Sequence, residues 1–146
     1  MPRISFSVPF VKGKERPRFT ARGRTYTPAA TVHAEGIVWQ AYCAACGGTP
    51  IRAPDGAEVS VSVWCTAPLP KSTPKRVGWL AYTRKPDVDN VLKLVLDALN
   101  PSKGGRGGAW ADDAQVTDAH VHKWRRTRGV LEETRITISW EDEGCK

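Results

Sequence analysis

The chain has 146 residues, 40% of them hydrophobic, and a formal net charge of +7. This length is typical of one domain that can bury a core without disulfide bonds, and no stretch approaches the ~18 apolar residues that a membrane span needs. The N-terminal residues lack the apolar core of a signal peptide, so the four cysteines are expected to be reduced thiols in a cytoplasm.

The first half of the chain predicts two strands and a helix. Alternating apolar residues indicate strands at Arg3–Pro9 and Ala57–Cys65. Lys12–Tyr26 is polar and basic, which is typical of a loop or a short ribbon. Thr27 as N-cap and Pro28 as first helical residue begin a helix. That helix runs to about Cys46 and stops at two glycines.

The second half predicts a helix followed by two strands. Residues 67–85 contain three prolines and are expected to be irregular, with a turn of helix near Val77–Leu80. An apolar stripe indicates a helix over Asp89–Leu99, followed by a flexible Gly-rich loop at residues 101–109. Strands at Gln115–Trp124 and Val130–Trp140 are predicted to form a hairpin, and residues 141–146 form an acidic tail. The chain therefore reads as one α/β domain, 1–146, with a mixed sheet and two main helices.

Charge is distributed unevenly along this domain. Basic residues cluster between Arg3 and Tyr26, Lys71 and Lys85, and Lys123 and Arg128, whereas residues 86–118 hold six aspartates against three basic residues. A basic surface suits a polyanion such as DNA, although a basic protein without such a partner is the plain alternative. An acidic island within a basic chain favours a divalent cation, because carboxylates otherwise repel phosphate.

The acidic island contains a pattern that suits phosphodiester chemistry. Asp87 and Asp89 are two residues apart in a predicted extended stretch, so they can point the same way. Lys93 follows four residues later on the same helix face, and Asp113 precedes the next strand. Carboxylates, water and phosphate are the shell that Mg²⁺ prefers. The alternative is structural: Asp89 as an N-cap, an ordinary Asp89–Lys93 pair, and Asp112-Asp113 as a solvated turn.

These residues carry a resemblance to a known family. The run from Arg84 to Leu99, with its Pro-Asp-x-Asp-Asn-x-x-Lys spacing, and the later Asp-Asp-x-Gln-Val resemble the RusA family of Holliday junction resolvases. Gly-Lys-x-Arg-Pro-Arg and Tyr-Thr-Pro within residues 12–28 also resemble that family's N-terminal segment. The Gly-rich loop is longer than is usual in the family, and the Cys-x-x-Cys at residues 43–46 is not a motif of it.

The resemblance implies a dimeric, Mg²⁺-dependent endonuclease, with Mn²⁺ as a substitute, that nicks four-way DNA junctions in recombination and repair and is often encoded by phages. It implies metal binding by Asp87, Asp89 and Asp113, with Asp112 as a further candidate, and an essential Lys93. We expect the DNA backbone to be held by basic residues of two segments. These are Lys12, Lys14, Arg16, Arg18, Arg22, Arg24, Lys103 and Arg106.

The remaining chemistry-bearing residues are interpreted as structural. Cys43 and Cys46 lack two further zinc ligands at paired spacing, and His120 and His122 are expected to be ordinary strand residues. Three tryptophans, Trp39, Trp64 and Trp79, are expected in the core, whereas Trp110 is considered for base stacking. The dimer interface is expected on Ile136, Ile138 and Trp140 or on the helix between Thr31 and Tyr42.

The function that the resemblance implies is junction resolution with water as nucleophile, leaving 5′-phosphate and 3′-hydroxyl ends. Two rivals remain. One is a nuclease that acts on flaps or replication forks, and the other is a catalytically silent DNA-binding protein of the same fold.

Overall fold

A computed structural model of the protein describes residues 2–15, 18–26, 28–102, 105–129 and 131–141. The elements in chain order are β1 Arg3–Val8, β2 Arg18–Phe19, β3 Thr25–Tyr26, α1 Ala29–Ala45, β4 Val59–Pro68, β5 Leu80–Ala81, α2 Val88–Leu99, a 3₁₀ turn Asp113–Gln115, β6 Val116–Thr127 and β7 Glu133–Trp140. The predicted α/β class with a mixed sheet and two main helices is confirmed.

The main sheet has five strands in the order β1-β7-β4-β6-β5. All neighbours are antiparallel except β4 and β6, which run parallel with Val63 opposite Val121. The β2–β3 ribbon forms a separate two-stranded sheet, with Arg18 opposite Tyr26 and Phe19 opposite Thr25. The predicted hairpin of the last two strands is wrong, because β4 lies between β6 and β7.

The core lies between one face of the sheet and the two helices. Every second residue of β1, β4 and β7 is buried, as strand geometry requires when one face packs. α1 contacts β1 and α2, and α2 also contacts β6. The apolar stripe of α2 supplies five buried side chains to this core: Val91, Leu94, Val95, Ala98 and Leu99. α2 is therefore fixed along its inner face, which leaves its polar face for the site.

Element ends follow the turn residues with two exceptions. α1 stops where predicted, and Gly47 and Gly48 both adopt positive φ, at 84° and 101°. Pro28 is the N-cap of α1 rather than its first helical residue, and Thr27 lies outside the described residues. The expected helical turn near Val77–Leu80 is wrong, since Leu80 begins the short strand β5.

Burial corrects the assignment of several large side chains. Trp39 packs against the core, whereas Trp64 and Trp79 are 43% and 59% exposed and are not core residues. Ile136, Ile138 and Trp140 lie in the core of a single chain, so the prediction that they form a dimer interface is wrong. Of the helices described, none has the length and apolar character to cross a membrane.

Candidate active site

Asp87 and Asp89 lie at the start of α2. Asp87 is the N-cap, with extended backbone, and its carbonyl accepts the first helical hydrogen bond from the Val91 amide at 3.0 Å. Among the described residues its carboxylate makes no capping hydrogen bond. Asp89 lies two residues after Asp87, in the first turn of the helix, so the alternative that Asp89 is merely an N-cap is wrong. Both residues are exposed, at the helix end where the dipole favours negative charge.

Asp87 has a basic neighbourhood. The Lys85 ammonium donates to its carboxylate at 2.8 Å. The Lys123 ammonium, from β6, donates to the carbonyls of Arg84 and Pro86 at 2.6 Å each. The Lys85 hydrogen bond, together with the charges of Lys85 and Lys123, lowers the pKa of Asp87 despite slight desolvation. Asp87 is therefore held as a carboxylate, the form that can bind a cation.

Lys93 projects from the polar face of α2 one turn after Asp89 and is exposed. The two side chains have the i,i+4 spacing of a helix ion pair. Within the described ranges, however, they form no ion pair with each other. The structural alternative of an ordinary Asp89–Lys93 pair is thus not observed, and the Lys93 ammonium faces solvent.

Asp112 and Asp113 have different roles in the turn before β6. The Asp112 carboxylate caps the 3₁₀ turn by accepting from the Ala114 amide at 3.0 Å, and Gln115 completes a capping box. The Gln115 amide also donates to the carbonyls of Pro54 and Ala57. Asp113 has no capping task here, and burial followed by the hydrogen bond and charge of Asp112 raises its pKa. The ionised form of Asp113 is therefore less favourable than that of a free aspartate.

The predicted metal ligands are not gathered into one cluster. Across the parts of the chain that the structure describes, no three Asp, Glu, His or Cys side chains are grouped so that they could hold a metal ion. After Asp112, the carboxylate that acts on Asp113 is Asp97, near the end of α2. Our sequence interpretation had not placed Asp97 in the site. The signal was present, because Asp89, Lys93 and Asp97 recur every four residues on one helix face.

Lys14 faces the protein rather than solvent. Its ammonium lies 2.5 Å from Asp97 and 3.2 Å from Glu35 of α1, and 16% of its side chain is exposed. Burial alone would lower the pKa of Lys14, but the hydrogen bonds and charges of Asp97 and Glu35 outweigh it and raise the pKa. The Lys14 amide also donates to the Asn90 carbonyl at 2.8 Å. Its predicted role as a phosphate contact is revised to that of an internal tie.

Gly13 allows this close approach. A Cβ atom at residue 13 would lie 2.8 Å from the Cβ of Pro86 and 2.9 Å from the Cβ of Asn90. Real Cβ atoms essentially never come so close, so only glycine fits without movement. The backbone at Gly13 and Lys14 therefore packs directly against the residues that flank Asp87 and Asp89.

Arg106 is also engaged within the protein. Its guanidinium donates to the carbonyls of Ala98 and Asn100 at 3.1 and 3.2 Å and stacks 4.1 Å from the Trp39 ring centroid. Its predicted phosphate contact is revised to anchoring of the Gly-rich loop at the end of α2. Within this loop Gly108 approaches the Leu99 carbonyl so closely that a Cβ would lie 2.5 Å from the oxygen.

The other predicted phosphate contacts divide into exposed and undescribed residues. Lys12, Arg22 and Arg24 are exposed. Arg16, Lys103 and the side chain of Arg18 lie outside the described residues.

Aromatic side chains and thiols also differ from expectation. Trp110 is completely buried and donates to the Asn100 side chain at 3.2 Å, so its expected stacking on a base is wrong. Trp64 lies instead on the solvent side of the sheet beside His122 and Trp124, with ring centroids 5.0 and 5.5 Å away.

The two cysteines of the Cys-x-x-Cys, Cys43 and Cys46, are free thiols of intermediate burial. His120 lies on β6 beside Asp118, with its Nε2 3.2 Å from that carboxylate.

Comparison with known proteins gives the family of the chain. A family model described as Endodeoxyribonuclease RusA matches residues 9–139, a range that contains every predicted site residue. The chain is 36% identical over 88 residues to the uncharacterized protein YqaN of Bacillus subtilis (strain 168), covering 55% of this chain and 54% of YqaN. It is 43% identical over 54 residues to the crossover junction endodeoxyribonuclease RusA of Escherichia coli (strain K12), covering 37% of this chain and 41% of that protein. The chain thus matches about half the length of these relatives or less.

Proposed function

Because the chain belongs to the RusA endodeoxyribonuclease family, we propose that it is a metal-dependent endonuclease that resolves four-way DNA junctions by paired nicks. The observation that carries the proposal is the polar end of α2. Asp87 and Asp89 are exposed there, and Lys93 follows them without pairing to Asp89 among the described residues. A net charge of +7 over the chain supplies the attraction for DNA.

The donor set suits a hard divalent cation such as Mg²⁺. Asp87, Asp89 and Asp113 offer only carboxylate oxygens, which Mg²⁺ prefers together with water and phosphate. Partial desolvation, followed by the hydrogen bond and the charge of Asp112, raises the pKa of Asp113, and a bound cation would favour its ionised form. These three residues are not grouped in the structure, so they would have to approach one another to hold the ion, with Asp112 left to its capping role. When bound, Mg²⁺ lowers the pKa of a coordinated water and neutralises charge on phosphate.

The chain's own residues then bind and orient the substrate. Lys85 keeps Asp87 ionised. The Lys123 ammonium donates to the carbonyls of Arg84 and Pro86, which precede Asp87 in the chain. Lys93 is exposed one helical turn after Asp89, where its ammonium can neutralise the negative charge that builds up on the phosphoryl oxygens. The exposed Lys12, Arg22 and Arg24 contact phosphates and position the duplex without reading its sequence.

Paired nicks need two sites. Each chain carries one such acidic set, whereas a four-way junction must be cut in two strands related by a two-fold axis. A homodimer places two sites with that symmetry, and two-fold dimers are the commonest assemblies of soluble proteins. We therefore include a homodimer in the proposal.

Neutral variants of the acids test the site. Asp87→Asn, Asp89→Asn and Asp113→Asn should each abolish nicking of a labelled junction and leave binding intact or tighter, because each removes an oxygen ligand and a negative charge that faces phosphate. Asp118→Asn is the matched control, since Asp118 is an exposed carboxylate on β6 that lies beside His120. Its nicking rate should equal that of the wild type.

Lys93→Ala should abolish nicking and cost little affinity, because one phosphate contact contributes little to counterion release. Full activity in any two of the three aspartate variants, or equal wild-type activity in EDTA, contradicts the proposal.

A further inference from the structure

The β2–β3 ribbon, residues 18–26, carries aromatic side chains that the proposed chemistry does not use. Phe19 is 75% exposed, the most exposed large apolar side chain of the described residues, and Tyr26 is 47% exposed. In the antiparallel register Phe19 is paired with Thr25, and Tyr26 is paired with Arg18. Since successive residue pairs point to opposite faces, the two rings lie on opposite faces of the ribbon. Each face therefore presents one ring to solvent.

The ribbon is folded by its own hydrogen bonds. The Thr20 amide donates to the Arg24 carbonyl at 2.7 Å, and the Gly23 amide donates to the Thr20 carbonyl at 3.0 Å. The Thr20 hydroxyl accepts from the Arg24 amide at 3.1 Å, and Gly23 has the positive φ, 80°, that such a turn favours. The exposed rings are thus displayed on an ordered turn.

The positive charge around these rings indicates a negatively charged partner. The sequence from residue 16 to residue 34 contains four arginines and no acidic residue. Arg22 and Arg24 are exposed and, within the described part of the chain, form no ion pair. Cations around an exposed ring are the arrangement that binds an unpaired nucleobase, with stacking on the ring and phosphates on the arginines.

The root of the ribbon lies next to the candidate active site. Lys14 is hydrogen-bonded through its backbone to Asn90, which follows Asp89. Phe19 is five residues beyond Lys14, and an extended chain spans at most about 18 Å over that number. Phe19 therefore lies within about 18 Å of Lys14, whose backbone contacts the first turn of α2. A base stacked on Phe19 would lie within a few nucleotides of the phosphodiester that is cut.

We propose that Phe19 of the β2–β3 ribbon stacks on an unpaired nucleobase at the branch point of the DNA substrate, while Arg22 and Arg24 bind the flanking phosphates. The inference rests on the proposed function, since it names the feature of branched DNA that the protein recognises. In linear duplex both faces of each base are already stacked on neighbours, so Phe19 contributes to binding only where a base is free.

The experiment compares Phe19→Leu, which keeps apolar volume and loses the aromatic face, with Phe19→Trp, which keeps a stacking surface. The probe is a four-way junction with 2-aminopurine at the branch point, and a linear duplex with the same label serves as reference, both in EDTA. Phe19→Leu should weaken junction binding by about 5- to 150-fold, the range expected for loss of one base–aromatic stack, and leave duplex binding unchanged. Phe19→Trp should restore junction binding and quench the 2-aminopurine fluorescence. Leu131→Ala, which removes a side chain that is 71% exposed outside the ribbon, should bind as the wild type does.

Two results overturn the inference. Equal junction binding by Phe19→Leu and the wild type removes the stacking role, and junction nicking by the wild type with Mg²⁺ would then leave the proposed function standing. If Phe19→Leu changes only the oligomeric state measured by sedimentation, and not junction binding, the ring belongs to a contact between copies of the chain. The converse result is a wild type that binds the junction more tightly than duplex in a Phe19-dependent way and yet fails to nick it with Mg²⁺. That result contradicts the proposed function and supports stacking.

Discussion

Two parts of the basic N-terminal segment behave differently although they are alike in composition. The root segment, residues 13–15, packs against α2, and the half-buried Lys14 lies between Asp97 and Glu35. The β2–β3 ribbon displays Arg22 and Arg24 to solvent. Both parts read as phosphate contacts in the sequence, because a run of positive charge carries no information on direction.

The fold therefore places basic residues of one segment in two different environments, one within the protein and one in solvent. Under the proposed function, root residues would act on catalysis through the position of α2, whereas ribbon residues would act on DNA affinity. Substitutions in the root should therefore change stability and the nicking rate, and substitutions in the ribbon should change binding and its dependence on salt.

The largest effect is expected from Gly13→Ala. The added Cβ meets the Cβ atoms of Pro86 and Asn90, neither of which is the end of a flexible side chain, so the start of α2 must move. A shift of about 1 Å can cost on the order of 100-fold in rate, and we expect a loss of nicking of that size at saturating DNA. Gly36→Ala is the control, because a Cβ at residue 36 of α1 meets nothing within 4 Å. Wild-type nicking by Gly13→Ala would show that the root does not position α2.

A second comparison sets Lys14→Met against Lys12→Met. Loss of the Lys14 ammonium leaves Asp97 and Glu35 uncompensated in a mostly buried place, and we expect the free energy of unfolding to fall by about 2–3 kcal/mol. Lys12 is exposed, so its substitution should change stability by less than about 0.5 kcal/mol. Urea denaturation measures both, and equal stability of the two variants would place Lys14 with the surface residues.

A smaller effect is expected from the double variant Arg22→Gln with Arg24→Gln. Each lost phosphate contact reduces the slope of log Kd against log salt by about 0.9, so the slope should fall by roughly 1.8 for the pair. Binding to the junction should weaken at least as much as binding to linear duplex, because these arginines are proposed to bind the phosphates that flank the branch-point base. An unchanged slope would mean that the ribbon does not contact phosphates.

The smallest effect concerns alkaline pH. The folded-state pKa of Lys14 is raised above its ordinary value of 10.5, so its ion pairs stabilise the protein fully below about that pH. This stabilisation is lost as the pH rises through the raised value. The difference in unfolding free energy between wild type and Lys14→Met should therefore be constant up to about pH 10 and shrink above it. A difference that already declines near neutral pH would contradict the assignment.

Periodicity predicted what depends on local sequence. The strands β1 and β4 and the helix α2 follow alternation and an apolar stripe, and their bounds agree with the prediction to within a few residues. The hairpin was wrong because strand neighbours depend on long-range pairing, and β4 inserts between two strands that are consecutive in the chain.

Side-chain direction was the other limit of the sequence interpretation. Trp110 was considered for a base and is buried, whereas Trp64 was placed in the core and is exposed. Trp110 lies between α2 and the 3₁₀ turn, where no helix or strand periodicity indicates burial. Trp64 occupies an outward position of β4, where a large ring is exposed. Asp97 was missed because its importance depends on Lys14 and Asp113, which are distant in sequence and meet it only in the fold.

The measurement that tests the central claim most directly is incubation of the purified protein with labelled four-way, flap and linear DNA, with and without Mg²⁺. We predict paired, symmetric nicks that convert the four-way junction into two ligatable duplexes, only when Mg²⁺ is present, and little cutting of linear DNA. Single unpaired nicks on flaps, with the junction left intact, would contradict this account and assign the chain to flap or fork cleavage.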